Sequence, residues 1–178
     1  MHGDGNGWIR CSLGHRHWGV NGAAGLLLRR SDPEGQVALL MQHRAAWTSD
    51  GDTWGIPGGA RDSHETPVEA ALREAAEEAG IDAAGVVVLG ERVDDHGGWQ
   101  YVTVVADVVG PLAIVPNGES AELRWVIESE VTALALHPGF AGSWPMLRSD
   151  RAVPTQTPDV ATAGSRNKPI WPVHQPET

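Results

Sequence analysis

The sequence predicts an α+β fold in which a mixed β-sheet is flanked by helices. Two observations lead there. Strand-like and helix-like stretches are interleaved irregularly, without the strict alternation of a parallel α/β fold. One helix also carries both start and stop signals, while most of the other apolar runs are short and bounded by turn chemistry.

The elements follow in order. Residues 1–16 open with the glycine-rich MHGDGNGWIRCS and read as a flexible lead-in. From His17 to Arg30 the chain ends in an apolar stretch, SDPEG supplies a turn, and Gln36 to His43 resumes a strand, which predicts a β-hairpin. Residues 44–59 form a loop punctuated by Gly51, Gly55, Pro57, Gly58 and Gly59, with a short strand through Trp54 to Pro57. Between Thr66 and Gly80 lies the clearest helix: Thr66 suits the N-cap, Pro67 the first turn, Glu69 a capping box, and Gly80 the stop. Val68, Leu72, Ala75 and Ala79 recur at helical spacing and predict its buried face. Strands are expected at 86–93, 99–109 and 123–127, and a second helix at 128–136. These elements define one domain over 17–148. Residues 149–178, rich in proline and threonine and poor in aliphatics, read as a tail without its own core.

Composition limits the function. A chain of 178 residues with 41% apolar and 20% charged residues fits one globular domain, with no apolar run long enough for a membrane span and no secretory leader. The single cysteine, Cys11, excludes an internal disulfide, and the expected compartment is the cytoplasm. A net charge of −10 argues against binding a nucleic-acid polymer, because such binding relies on clustered Lys and Arg. An anionic small-molecule substrate would therefore need a divalent cation as mediator.

Glu74, Glu77 and Glu78 occupy one side of the capped helix at spacings of three and four. Such a run is also what an ordinary solvated helix presents, so helix content alone does not assign it a role. If a cation is bound, Mg²⁺ is the natural guest, since it takes hard oxygen ligands and bridges carboxylates to phosphates. The surrounding spacing decides the matter. From Gly59 there are five residues to Glu65 and seven more to Arg73, followed by Glu74, Ala75, Ala76, Glu77, Glu78, Ala79, Gly80 and Ile81. This pattern resembles the Nudix box, G-x5-E-x7-R-E-U-x-E-E-x-G-U with U aliphatic. The one soft departure is Ala75, where a larger aliphatic is usual.

The resemblance implies the Nudix fold, an α/β/α sandwich, and a pyrophosphohydrolase dependent on Mg²⁺, with Mn²⁺ as an alternative. It implies that Glu74, Glu77, Glu78 and the backbone carbonyl of Gly59 hold the metal. Arg73 would orient a glutamate, against the alternative of a surface ion pair with Glu69 or Glu77, and Glu65 would give structural support. For the general base it points to Glu119, six residues before Trp125, with Glu78 as the alternative. Trp54 and Arg44 are candidate substrate contacts. Outside the box the likeness continues more weakly over residues 17–136.

The expected substrate is a nucleotide-type small molecule. Chain positions that mark the ADP-ribose and dinucleoside polyphosphate branches are not matched: no proline occurs between Pro67 and Pro111, and Tyr101 lies 20 residues past Ile81. A nucleoside triphosphate, oxidised or not, remains the first choice, giving a monophosphate and pyrophosphate. ADP-ribose, a dinucleoside polyphosphate, and a non-catalytic nucleotide sensor stay as alternatives. Isopentenyl diphosphate isomerase, of related fold, needs a catalytic cysteine, and Cys11 lies ahead of the core. A homodimer is left open. Cys11, His15 and His17 make three zinc ligands without a fourth, too few for a closed structural site.

Overall fold

A computed structural model describes residues 3–149. In chain order its elements are β1 (Trp8–Arg10), β2 (Arg16–Trp18), β3 (Ala23–Ser31), β4 (Val37–Arg44), β5 (Trp54–Gly55), β6 (Gly58–Ala60), α1 (Pro67–Ala79), β7 (Val86–Asp95), β8 (Gln100–Val108), β9 (Ser120–Ile127) and α2 (Pro138–Leu147). The main sheet runs β5-β4-β3-β8-β7, with β6 added beside β3 and β9 beside β4. It is mixed: β3 lies parallel to β8, and the other pairings are antiparallel.

Strand periodicity explains the layers. Leu26 and Leu28 of β3 and Leu40 of β4 face α1, where they meet Ala70, Ala71, Ala75 and Ala79. The residues between them, Leu27, Leu39 and Met41, face the opposite side and meet Phe140, Trp144 and Leu147 of α2. The result is the expected sandwich of helix, sheet and helix.

The edge of β3 is shared. Its C-terminal end, Arg29 to Ser31, pairs with β4, whereas its N-terminal end, Ala23 to Gly25, pairs with β6. β4 and β6 therefore diverge from one strand and leave a fork between them. This fork positions the candidate site.

Several sequence expectations need correction. The buried face of α1 is centred on Ala70, Ala71, Ala75 and Ala79, with Val68 and Leu72 only partly buried at its margin. The helix expected at 128–136 is a 3₁₀ segment over Glu128–Ala133, and the second α-helix is α2, ten residues further on. Pro138 in its first turn and the His137 ring, which accepts from the Gly139 N–H, start α2. The glycine-rich lead-in also contains β1, which pairs with β2 in a two-stranded ribbon, Trp8 opposite Trp18. Apart from Ser149, the tail assigned to 149–178 lies outside the described residues. Among the described residues no helix is long and apolar enough to cross a membrane.

The helix signals hold in full. Thr66 accepts from the Glu69 N–H, Glu69 accepts in return from the Thr66 N–H, and Gly80 closes the helix in the left-handed region at φ 67°. Thr66→Ala removes this reciprocal pair and is expected to lower stability by about 1 kcal/mol. Urea denaturation checks it: an unchanged midpoint would show that the capping box contributes nothing.

Candidate active site

The site is built where α1 crosses the fork between β4 and β6. Glu78 is buried at 5% exposure, an unusual place for a carboxylate. One of its oxygens, Oε2, accepts from the Gly58 N–H of β6 at 3.0 Å and from Gln42 Nε2 of β4 at 3.2 Å. The side chain thus joins the two strands that have parted. Gln42 also donates to Ser120 Oγ at 2.8 Å, which brings in β9.

Two glycines make this close approach feasible. A Cβ on Gly58 would stand 2.6 Å from the Ala24 carbonyl oxygen, and one on Gly59 would stand 2.6 Å from Glu74 Oε1. Any larger residue at 59 displaces the Glu74 carboxylate.

Arg73 organises the other carboxylates. Its Nε and Nη2 donate to the two oxygens of Glu65 at 2.6 and 3.0 Å, the forked geometry that arginine favours. Nη2 also donates to the Ala60 carbonyl at 3.0 Å, tying α1 to β6. Nη1 donates to Glu74 at 2.8 Å and lies 3.6 Å from Glu77. Glu65 in turn accepts from the Asp62 N–H at 2.9 Å. Of the two surface partners considered for Arg73, Glu69 is occupied by its capping box and Glu77 is the most distant contact of the set.

Glu77 points outward with a side-chain exposure of 60%. Glu119 is exposed on the turn before β9. Its carbonyl accepts from the Ala45 N–H at 2.9 Å, and the nearby Asn117 N–H donates to the Glu78 carbonyl at 3.1 Å. This loop is therefore held between the end of β4 and the end of α1, and the negative charge of Glu119 is felt by both Glu74 and Glu78.

The electrostatic balance favours a cation. One guanidinium serves Glu65, Glu74 and Glu77, while Glu78 and Glu119 add further negative charge. Burial, followed by Glu74 and Glu119, pushes the Glu78 carboxyl up to about 8, opposed by the Gly58 N–H. Burial likewise raises Glu74, and Arg73 opposes that shift. Carboxylates held together in this way fit a hard divalent cation through their oxygen donors.

A cleft of about 480 Å³ starts at Gly58 and Gly59 and runs past Ile56, Tyr101 and Trp99. Arg44 lines it, with its guanidinium donating to the Ser49 carbonyl at 3.0 and 3.1 Å. Trp54 departs from expectation. It is 8% exposed and belongs to the core under α2, its ring stacked on His43 at 4.8 Å with Arg124 above it at 4.5 Å. It does not line the cleft. Its place in a loop between glycines hid this, since the sequence does not show β5 pairing with β4. Gln42 was missed for a similar reason: a lone glutamine in an apolar strand carries no signal until its partner is known.

This geometry agrees with comparisons to known proteins. The NUDIX domain family profile matches residues 21–149. The chain belongs to the Nudix family. A Mycobacterium tuberculosis protein provisionally named 8-oxo-dGTP diphosphatase 3 is 56% identical over 84% of this chain and 71% of its own. A nucleoside triphosphate pyrophosphatase/Nudix hydrolase fusion protein from Bifidobacterium longum is 45% identical over 82% of this chain, which spans 31% of that protein. The crystal structure of RenU, a Nudix hydrolase from M. smegmatis, superposes with a TM-score of 0.77 at 49% identity, covering 92% of this chain and 100% of that one. As a Nudix pyrophosphohydrolase the chain is an enzyme of a class that uses a divalent metal.

The raised Glu78 pKa fixes the sign of a pH effect. A carboxyl whose folded value exceeds its unfolded value contributes stability at low pH and loses it as pH rises toward 8. In metal-free protein, wild type should therefore lose stability relative to Glu78→Gln between about pH 5 and pH 8, by roughly 1 kcal/mol or more, or about 2–4 °C in Tm. Added Mg²⁺ should recover more of that loss in wild type than in the variant. Parallel melting curves with and without chelator test this, and a difference independent of pH would rule it out.

Proposed function

We propose that the chain hydrolyses a nucleoside triphosphate, with oxidised guanine nucleotides such as 8-oxo-dGTP as the first class to test, giving a nucleoside monophosphate and pyrophosphate. The observation that carries this reading is the carboxylate group around Arg73, placed at the glycine end of a cleft with aromatic walls. The substrate assignment draws on the names of the relatives at 56% and 45% identity.

In this reading Glu74, Glu77, Glu78 and the Gly59 carbonyl hold Mg²⁺, with Mn²⁺ able to substitute. The cation supplies charge neutralisation, orientation of the diphosphate and a lowered pKa for water. Arg73 keeps Glu74 directed at the ion, and Glu65 keeps Arg73 in place through its paired hydrogen bonds. Arg44, from the opposite wall, meets substrate charge. Glu119 is the base: it is exposed, fixed at the backbone, and close enough to influence Glu74 and Glu78. It takes a proton from water as the water oxygen bonds to phosphorus. The anhydride P–O bond between the α and β phosphates breaks, and the bridging oxygen keeps the electron pair and departs with the leaving phosphate. Glu78 is less suited to that role because its Oε2 is engaged by Gly58 and Gln42. We also propose a cytoplasmic setting, which a soluble nucleotide substrate would support.

The test is pyrophosphate release from a panel of nucleoside triphosphates, 8-oxo-dGTP, ADP-ribose and a dinucleoside tetraphosphate with Mg²⁺. The triphosphates should be cut best. Glu77→Gln, whose side chain is exposed and should not disturb folding, should lower kcat/KM by about 100-fold or more, and Glu119→Gln should lower kcat by about 100-fold. Binding without turnover would instead identify a nucleotide sensor, and unchanged kinetics in both variants would refute the site assignment.

A further inference from the structure

Three histidines on the cleft wall away from Gly58 and Gly59, His15, His17 and His96, form a second group of metal-ligating side chains with the buried Cys11. The ribbon β1–β2 reverses direction over Cys11 to His15, closed by the Cys11 N–H donating to the His15 carbonyl at 3.0 Å and the Gly14 N–H donating to the Cys11 carbonyl at 2.9 Å. His17 follows two residues after His15 in extended chain, so the two imidazoles project to the same side. The fourth member comes from far along the sequence. Gly97 and Gly98, both at positive φ (68° and 80°), make the tight reversal between β7 and β8 and leave His96 at its base.

Hydrogen bonds lock the two turns together. The Ser12 N–H donates to the Gly97 carbonyl at 2.8 Å, and Ser12 Oγ donates to the His96 carbonyl at 3.3 Å. A Cβ at Gly97 would collide with Ser12 Oγ, so glycine is needed for the contact as well as for the turn.

We propose that Cys11, His15, His17 and His96 form a structural zinc site. One ligand atom from each lies within 4.8 Å of the other three. A tetrahedral zinc, with Zn–N about 2.0–2.1 Å and Zn–S about 2.3 Å, holds three nitrogens and one sulfur about 3.3–3.6 Å apart, so binding needs the donors to close by at most about 1.5 Å. The imidazoles already converge: the His17 and His96 rings have centroids 4.7 Å apart, and His15 lies 6.3 Å from each.

An ordinary aromatic cluster explains part of this arrangement, since Trp99 stacks on His17 at 3.9 Å and packs with the buried Cys11. It does not explain the orphan atoms. His17 Nε2 and His96 Nδ1 are both shielded from solvent and lack any hydrogen-bond partner. Buried polar atoms in native proteins are normally satisfied, and a metal satisfies an imidazole nitrogen. Nitrogen with one sulfur matches zinc and contrasts with the oxygen-only glutamate group. Four protein ligands leave no open position, so the role is to fasten β1–β2 to the β7–β8 turn.

Cys11 is the only cysteine in the chain, so any thiolate-to-cobalt charge-transfer band reports this site and not the glutamates. The full chain, reduced and stripped with chelator, is titrated with Co²⁺ and then with Zn²⁺. Expected are a thiolate band saturating at one Co²⁺ per chain, its loss on adding Zn²⁺, and its retention in Glu77→Gln. Cys11→Ser should abolish the band, and His96→Gln should weaken Co²⁺ binding at least about 10-fold. Alkylation of wild-type Cys11 by iodoacetamide should slow at least 10-fold with Zn²⁺, by loss of the free thiolate. Absence of the thiolate band in folded wild-type protein would overturn the proposal. Equal Co²⁺ affinity in wild type and a folded His96→Gln would overturn the four-ligand assignment; if His96→Gln does not fold, exposed His15→Gln takes its place in that comparison.

Discussion

The hydrogen bonds of the Glu78 carboxylate span the split in the sheet, and the rest of the site is arranged around them. β3 cannot pair along one edge with both β4 and β6 at the same level, so the two strands separate and leave a donor on each unpaired with the other. A carboxylate oxygen accepts from both at once, which no apolar side chain at that position could do. To reach the fork, α1 must sit very close to the sheet. Alanine at its buried positions and glycine at 58 and 59 provide that distance. The soft departure at Ala75 belongs here: it is wholly buried in the core layer between α1 and the sheet, and a larger aliphatic would lift the helix away from the strands.

Close packing of the helix has an electrostatic consequence. Moving Glu78 and Glu74 out of water costs free energy that their hydrogen bonds offset only in part, as their raised pKa values show. Arg73 compensates the outer part of the group through Glu65 and Glu74 and ties it to the Ala60 carbonyl, and it makes no hydrogen bond to Glu78 among the described residues. In the proposed function, affinity for a divalent ion would come from the same burial that raises these carboxyls. The fold holds the carboxylates in a geometry that would relax if the helix were free.

Local signals in the sequence were sufficient for much of this. Thr66, Pro67, Glu69 and Gly80 define α1 because capping depends on residues within a few positions of each other. The hairpin of β3 and β4 and the antiparallel pair of β7 and β8 are legible for the same reason. The spacing from Gly59 to Ile81 conveys the box because the turn, the helix and its glutamates are contiguous. What stayed hidden depends on pairing across distance. Which glutamate is buried is decided by the fork, which lies in β-sheet register, and Glu74, Glu77 and Glu78 look equivalent before that register is known. Trp54 looked available because its loop is glycine-rich, yet β5 places it between His43 and Arg124. The helical period at 128–136 was real only as a single tightened segment, and α2 was obscured by its own prolines at 138 and 145.

The N-terminal ribbon shows the same limit with a functional result. Read alone, residues 1–16 have too few apolar side chains to fold, and three ligands in CSLGHRH fall short of a metal set. Both deficits are met from one place, the turn at His96 to Trp99. Trp99 fills the small core with Cys11 and Ala23 and donates from Nε1 to the Gly19 carbonyl at 2.8 Å, while His96 completes the ligand group. A ribbon of two three-residue strands is not stable by itself, so it needs such an external tie. Its contribution is a wall of the cleft that includes Trp8, Arg16 and Trp18. The cleft therefore runs from Gly58 and Gly59, which approach Glu78 and Glu74, to a wall carrying His15 and His17 of the ribbon and His96 of the neighbouring turn. Oxygen donors on α1 and nitrogen and sulfur donors near the ribbon prefer different ions, so the two proposed metals would not compete with each other.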